Sequence, residues 1–415
     1  MTEEAGEPAV SPAASGCFRL DAEAPGYLDD PYPVFHALRS QSPVYLAPGG
    51  VWYLSRFDDV TAVLSDGRFV RQSPAGAAPI SGHSRAPTAI DRMLSRWMVF
   101  IDPPAHTRLR RLVGQAFTPQ RVAGLAADIR ASADGLLDSA LEGGDTFDVI
   151  ADLAYPLPVI VVSRILGVPR EDHACLKAWS ARLTGALDTG EPEQLATGDA
   201  AAAEISDYMA GLIEARRRTP TDDLISALLA DSAGGPGLSD EELVANCVFL
   251  LWAGHETTKN LIGNGTLSLI RHPGELARLA ADPTLLESAV DEFLRYESPI
   301  QKIGRWTRVP VTLGGLEISA DSYVVGLFGA ANRDPARFAD PDRLDVGRRA
   351  GHGVAFGKGI HHCLGYRLAV LEGGLAFAAL LERFRALEPR DAMPRWQTNS
   401  SIRGLESLPV SVRRH

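Results

Sequence analysis

Residues 356–365 read FGKGIHHCLG and set Cys363 among three glycines, Gly357, Gly359 and Gly365, just ahead of an apolar run that predicts a helix. Glycine permits tight or positive-φ turns and the close approach of a flat ligand, and the free amides of a helix start stabilise a thiolate. Such a loop presents a sulfur. A buried structural cysteine at a glycine turn accounts for most single cysteines, but it requires neither three glycines nor Phe356. The other cysteines, Cys17, Cys175 and Cys247, lie far apart with no CxxC pair, which argues against a disulfide framework and a zinc ribbon.

Three further groupings have chemical spacing. In AGHETT, Ala253, Gly254, Glu256 and Thr257 place a glycine and β-branched hydroxyls where an uninterrupted helix prefers Ala or Leu. A threonine can bond the carbonyl of the preceding turn, and Gly254 leaves space beside it, so a widened groove with polar groups is expected. Alone, the hexapeptide reads as a harmless kink. In DPPAHTRLRR, His106 and Arg110 stand at i, i+4 after a Pro-Pro start, two donors on one face that suit an anion. A solvated basic face is the alternative, and Arg108 and Arg111 fit it. Glu292 and Arg295 in VDEFLRYESP stand at i, i+3, where most pairs are surface salt bridges worth under about 1 kcal/mol.

The elements that must carry these residues are mostly helical. A hairpin is predicted from 44–46 and 51–54 around Ala47-Pro48-Gly49-Gly50, then a short helix from Asp58 and a long loop over 72–96. Apolar residues at helical spacing fill 105–117, 119–142, 151–166, 171–187 and 193–217. Ser239 and Glu242 fit a capping box that opens a long helix running to His272-Pro273, apolar on most faces and so expected at the centre. Residues 311–318 and 323–327 predict strands around Gly314-Gly315, and 365–384 a last helix. The fold class expected is mainly α with a smaller β region. Residues 1–16, rich in Ala, Pro, Glu and Ser, predict a disordered tail. Residues 17–415 are expected to form a single domain.

Phe356, Gly359, Cys363 and Gly365 together resemble the haem-binding loop of the cytochrome P-450 family, Phe-x-x-Gly-x-x-x-Cys-x-Gly. The likeness extends through the AANRDP segment (330–335) to the last helix. It implies the P-450 fold, with haem b between the central helix and the helix after the cysteine loop, and Cys363 as axial ligand of the iron. Phe356, Gly357 and Gly365 then belong to the haem loop. His106, Arg110, Arg305 and His361 match propionate contacts, and Glu292 with Arg295 and Arg348 matches a buried ion-pair core. Glu256 and Thr257, beside Ala253 and Gly254, match the acid–alcohol pair that delivers protons to dioxygen. The family pocket falls on Trp97, Met98, Leu250, Ile300, Gln301, Lys302 and Ile402, which suggests a medium-sized molecule with some polar groups. Lys259 and Lys302 are unusual polar choices for this family. Lys302 is expected either to face solvent or to contact an anionic or carbonyl part of the substrate.

The implied activity is hydroxylation or epoxidation of a small organic molecule with O2 as co-substrate, as in bacterial secondary-metabolite biosynthesis. No flavin or iron-sulfur domain fits the remaining residues, so electrons from NAD(P)H are expected through a separate ferredoxin and ferredoxin reductase. Lys358, Arg108, Arg111, Arg349 and Arg367 suit a basic docking patch as well as they suit scattered solvated charges. A net charge of −11 disfavours nucleic acid as a partner. Without a signal-like start or an apolar run expected to span a bilayer, a cytoplasmic monomer is anticipated. Peroxide-driven oxidation, oxidative coupling on the same fold and a non-catalytic haem sensor are the alternatives; the acid–alcohol pair speaks against the first and the last.

Overall fold

The capping box at Ser239 forms: its hydroxyl accepts from the Glu242 amide at 3.2 Å, and its own amide donates to Glu242 Oε2 at 2.9 Å. From it runs the central helix, Asp240–Arg271, 32 residues or about 48 Å long. It stops at His272, ahead of Pro273, which has no amide to donate and opens the next helix, Pro273–Ala281. In this computed structural model, residues 26–74, 87–188, 192–231, 237–391 and 394–415 are described. The expected tail (1–16), Cys17 and the middle of the 72–96 loop lie outside them.

Around the central helix pack Pro156–Leu166, Pro192–Arg218, Leu286–Tyr296 and Tyr366–Arg383. Small residues set how closely they come. A Cβ added at Gly265 would lie 2.5 Å from the Phe377 ring and 3.0 Å from that of Phe293. These two rings, 4.9 Å apart between centroids, occupy the space that a larger residue would need.

Several predicted helices are interrupted for local reasons. The 119–142 segment divides at Gly124 and Leu125 into Pro119–Gly124 and Ala126–Ala140. The 151–166 segment begins with wide π-turns over Val149–Ala154, whose first amides are taken by the Asp148 carboxylate, and becomes an α-helix only at Pro156. Contrary to the expectation that no apolar run could span a bilayer, Val149–Leu166 reaches 18 residues at mean hydropathy 1.8; 61% of it is buried, as in a core helix. The 72–96 loop contains a helix, Ala89–Leu94, capped by Thr88 and Asp91.

Among the described residues a five-stranded sheet runs in the order Val44–Leu46, Trp52–Leu54, Tyr323–Leu327, Lys302–Thr307 and Phe69–Val70. The predicted hairpin is its edge, with Trp52–Leu54 pairing parallel to Tyr323–Leu327. Residues 311–318 form a separate hairpin, Val311–Leu313 with Leu316–Ile318, turning on Gly314 and Gly315 at positive φ. A third sheet joins Thr146–Asp148, Pro409–Arg414 and Phe384–Pro389. Near the chain's end the Arg403 guanidinium reaches the carbonyls of Leu28 and Asp29 and pairs with Glu297, stacked over the Trp396 ring at 3.6 Å.

Candidate active site

The cysteine loop closes on a bond from the Cys363 amide to the Phe356 carbonyl, 2.8 Å. Gly357 and Gly359 hold φ of 66° and 69°, which other residues rarely adopt. At Gly359 a Cβ would also lie 2.5 Å from the Leu64 carbonyl oxygen. Gly365 has an ordinary φ of −86° and serves as the residue before Tyr366–Arg383. The Phe356 ring stands edge-on to His352 and Tyr366. Burial pushes the Cys363 thiol up to about 11, opposed by the Gly365 amide and the Arg110 guanidinium. Among the described residues no three His, Cys, Asp or Glu side chains gather to hold a bare metal ion, so Cys363 stands as a lone sulfur donor.

Beside the loop, buried donors lack partners. The His106 and His361 rings lie 4.2 Å apart, and both His106 nitrogens and His361 Nε2 are buried without a hydrogen bond. Burial, with Arg305, His106, Arg71 and Arg110 nearby, pushes the His361 imidazole down to about 2. Arg110 donates to the His362 carbonyl at 2.7 Å, from the helix Ala105–Gly114. Arg305 is 3% exposed and bonds its neighbour's carbonyl, that of Gly304, at 3.0 Å. Arg71 bonds the same carbonyl at 2.5 Å and Val99 O at 2.7 Å, and lies over the Phe100 ring. Neither Arg71 nor Arg305 makes an ion pair among the described residues. Buried guanidinium and imidazole groups in this state call for an anion. Sequence reasoning missed Arg71, whose position in a loop gives no periodic signal.

On the central helix, Ala253, Gly254 and Thr257 are partly open while His255, Glu256, Thr258 and Lys259 are buried. The helix is continuous through them, and Val162 takes the space beside Gly254, so the expected widened groove is not seen at that residue. Thr257 Oγ1 donates to Ala253 O at 2.9 Å, and a Cβ at Gly254 would meet Val162 at 3.2 Å. Burial would raise the Glu256 carboxyl, but Lys259, His255 and Gln397 together hold it below the ordinary carboxylate range.

Glu292 and Arg295 are fully buried, joined at 2.7 and 2.8 Å. Arg348 completes the group at 3.1 Å from Glu292 Oε1 and also bonds the carbonyls of Ala339, Asp340 and Arg343. A buried triad of this kind fixes the loop at 339–348 against the helix Leu286–Tyr296.

The pattern of the family described as Cytochrome P450 matches residues 192–412. Cytochrome P450 monooxygenase PikC of Streptomyces venezuelae is 40% identical over 405 residues, 95% of this chain and 94% of that protein. Vitamin D(3) 25-hydroxylase of Pseudonocardia autotrophica is 40% identical over 393 residues, 93% of this chain and 94% of that protein. The chain belongs to the cytochrome P450 family. Among solved structures, P450BioI in complex with hexadec-9Z-enoic acid ligated acyl carrier protein superposes with TM-score 0.88 at 36% identity, covering 93% of this chain and 99% of that one. The Bacillus subtilis 168 bacillaene polyketide synthase P450 PksS follows at 0.86 and 37%, covering 95% and 100%. This P450 is a monooxygenase enzyme using haem, O2 and reductant electrons.

A haem suits the residues present: a lone cysteine sulfur for the iron, and imidazole nitrogens without partners beside guanidinium groups without counter-ions for two carboxylates. The residues expected to line a substrate pocket are only partly brought together. Ile300 and Ile402 pair in an isolated antiparallel bridge, and Leu250 lies one turn before Gly254 on the same helix face. Trp97 is instead fully buried in an aromatic cluster with Phe100, Phe249 and Trp252, because residues 249 and 252 project from the neighbouring face. Met98 is also buried, its amide donating to Asn246 Oδ1 at 3.0 Å. Gln301 turns away, donating to Ser298 O at 2.7 Å and crowding Gly329. Lys302 Nζ donates to Ser400 Oγ at 2.8 Å. In the expected docking patch, Arg108 is committed elsewhere, to Glu242 and the Gly237 carbonyl at the start of the central helix.

Proposed function

We propose that this P450 hydroxylates or epoxidises a medium-sized organic molecule in bacterial secondary metabolism, with electrons from NAD(P)H by way of a separate ferredoxin and reductase, as a cytoplasmic monomer. The reading is carried by one juxtaposition: a lone cysteine sulfur beside a cradle of buried donors without anions. Support for the substrate class comes from relatives named for polyketide and biotin biosynthesis.

In this reading Cys363 ligates the iron of haem b, and His106, Arg110, Arg305 and His361, with Arg71 behind Arg305, hold its propionates. The bound haem supplies the oxygen activation, and every other task falls to the chain. A thiolate ligand donates electron density that favours O–O cleavage. Thr257, whose hydroxyl rests on the Ala253 carbonyl, offers a rotatable proton donor on the partly open helix face it shares with Ala253. Glu256 refills it with protons. Leu250, Ile300 and Ile402 present apolar surface that orients the substrate and excludes water.

The test is a spectral binding screen of macrolides, other polyketides, fatty acids and steroids against the holoenzyme, followed by turnover of each binder with ferredoxin, reductase and NADH. Oxygen consumption with an oxygenated product is expected, and Thr257→Ala should divert most of the consumed NADH away from product. Failure of every binder to consume oxygen would overturn the assignment.

A further inference from the structure

Lys259 lies one turn beyond Glu256 on the central helix, and both are buried, at 4% and 5% exposure. Its ammonium bonds Glu256 Oε1 directly. A buried carboxylate disfavours its own charge unless it is paired, and the Lys259 ammonium is the partner that favours the Glu256 anion. Within a helix turn that pair is fixed by backbone geometry and needs no second element to form it.

The surroundings of the pair are polar and enclosed. Gln397 Nε2 stands 3.5 Å from the same Glu256 oxygen, brought from the segment ahead of Pro409–Arg414. His255 Nε2 lies 3.8 Å from Oε2. That histidine donates through Nδ1 to Leu251 O at 2.7 Å, and meets Ser180 Oγ at 2.8 Å on the helix His173–Asp188. A donated proton at Nδ1 is the arrangement a carbonyl partner requires, leaving Nε2 to accept from Ser180. The Tyr155 ring stands edge-on to His255 at 5.6 Å; its hydroxyl is buried without a partner, and Lys177 lies over the ring at 4.8 Å. Among the described residues, Lys259, His255 and Tyr155 are the titratable groups acting on Glu256, and Lys259 is the one that bonds it.

We infer that Lys259 is a positioning residue for proton delivery, keeping Glu256 an anion at rest so that it takes up a proton from the enclosed polar side before passing one toward Thr257. The inference rests on the acid–alcohol reading of Glu256 and Thr257. Its chemistry moves protons only: Glu256 gains one from the His255–Ser180 side and loses one to the Thr257 side, and Lys259 transfers none. Without the ammonium, burial governs Glu256, and the carboxyl holds its proton through neutral pH.

The test compares Lys259→Met, Lys259→Gln and Lys259→Arg as ferric holoenzymes by infrared difference spectroscopy across pH 5 to 9. The carbonyl stretch of a protonated buried carboxyl is expected at pH 7 in the Met and Gln variants. It should appear in addition to the band of the buried Glu372 carboxyl that the parent also carries, be missing from the difference between Lys259→Arg and parent, and be lost again in Lys259→Met/Glu256→Gln. Product formed per NADH should be flat between pH 6 and 8 in the parent and in Lys259→Arg, and pH-dependent by at least about threefold in the neutral variants. Should Lys259→Met not fold, Lys259→Gln is read the same way. No carboxyl band beyond that of the parent at pH 7 in a folded neutral variant overturns the role of Lys259. Unchanged coupling in Glu256→Gln, with the band behaviour as expected, instead overturns the acid–alcohol reading and leaves the ion pair standing.

Discussion

The Arg110 guanidinium donates to the carbonyl oxygen of His362, 2.7 Å away, and so ties the helix Ala105–Gly114 to the residue before Cys363. Arg110→Leu removes that bond and one cation of the anion cradle; hydrogen bonds to charged groups are worth about 1.5–3 kcal/mol. Haem retention, read as haem-to-protein absorbance after gel filtration, should fall roughly tenfold under equal haem supply, the lower end of that range being about one decade. Arg110→Lys keeps the charge without the fork and should lie between.

Glu292, shut off from water, faces two guanidinium groups, one of them, that of Arg295, fully buried as well. Glu292→Gln leaves Arg295 buried without its counter-charge, a change that costs about 3–5 kcal/mol in comparable sites. Urea unfolding should show that loss, with little haem bound. Arg348→Ala should cost less, because Arg295 still covers Glu292 and the Arg348 side chain is 13% exposed.

Cys363→Ser and Cys363→His leave the donor cradle intact, so each should still take up some haem. The carbon monoxide difference spectrum of the reduced protein should lose its thiolate-type band in both, and oxygenated product should vanish. Parent-like turnover in either variant would remove Cys363 from its assigned position.

Glu372 on the helix Tyr366–Arg383 is buried with Oε2 unpartnered, and burial pushes its carboxyl up to about 8 from an ordinary value of 4.5. Over that window the folded chain keeps a proton that the unfolded chain releases. Stability therefore falls as pH rises from about 4.5 to about 8, by up to about 1.4 kcal/mol per pH unit, and levels off above it. Glu372→Gln should be more stable than the parent at pH 8 and similar at pH 5. Urea midpoints at both pH values check this.

The cysteine loop, the capped central helix and the Glu292–Arg295 pair were legible because each is written in residues close together in sequence. Arg348 was reachable only through resemblance, since its bond to Glu292 spans a loop with no period. The short strands were harder. Lys302–Thr307 contains Lys, Gly and Arg and shows no alternation, and it is a strand because Tyr323–Leu327 and Phe69–Val70 pair with it. Trp97 and Gln301 were placed by segment, which fixes backbone position but not the direction a side chain takes. Arg71 gains meaning only from Gly304 and Phe100, which tertiary contacts bring to it.

Arg403 holds the carbonyl of Leu28 across 375 residues of chain. At synthesis rates on the order of 5–20 residues per second, roughly 20–75 s pass between the emergence of the two ends of that contact. Residues 28 and 29 thus wait on the ribosome without that partner, even after Val325, Leu327 and Ala330 have been made to pack against their neighbours. Nascent chains stalled before Arg403 should leave residues 26–30 open to protease, however well the central helix has already packed.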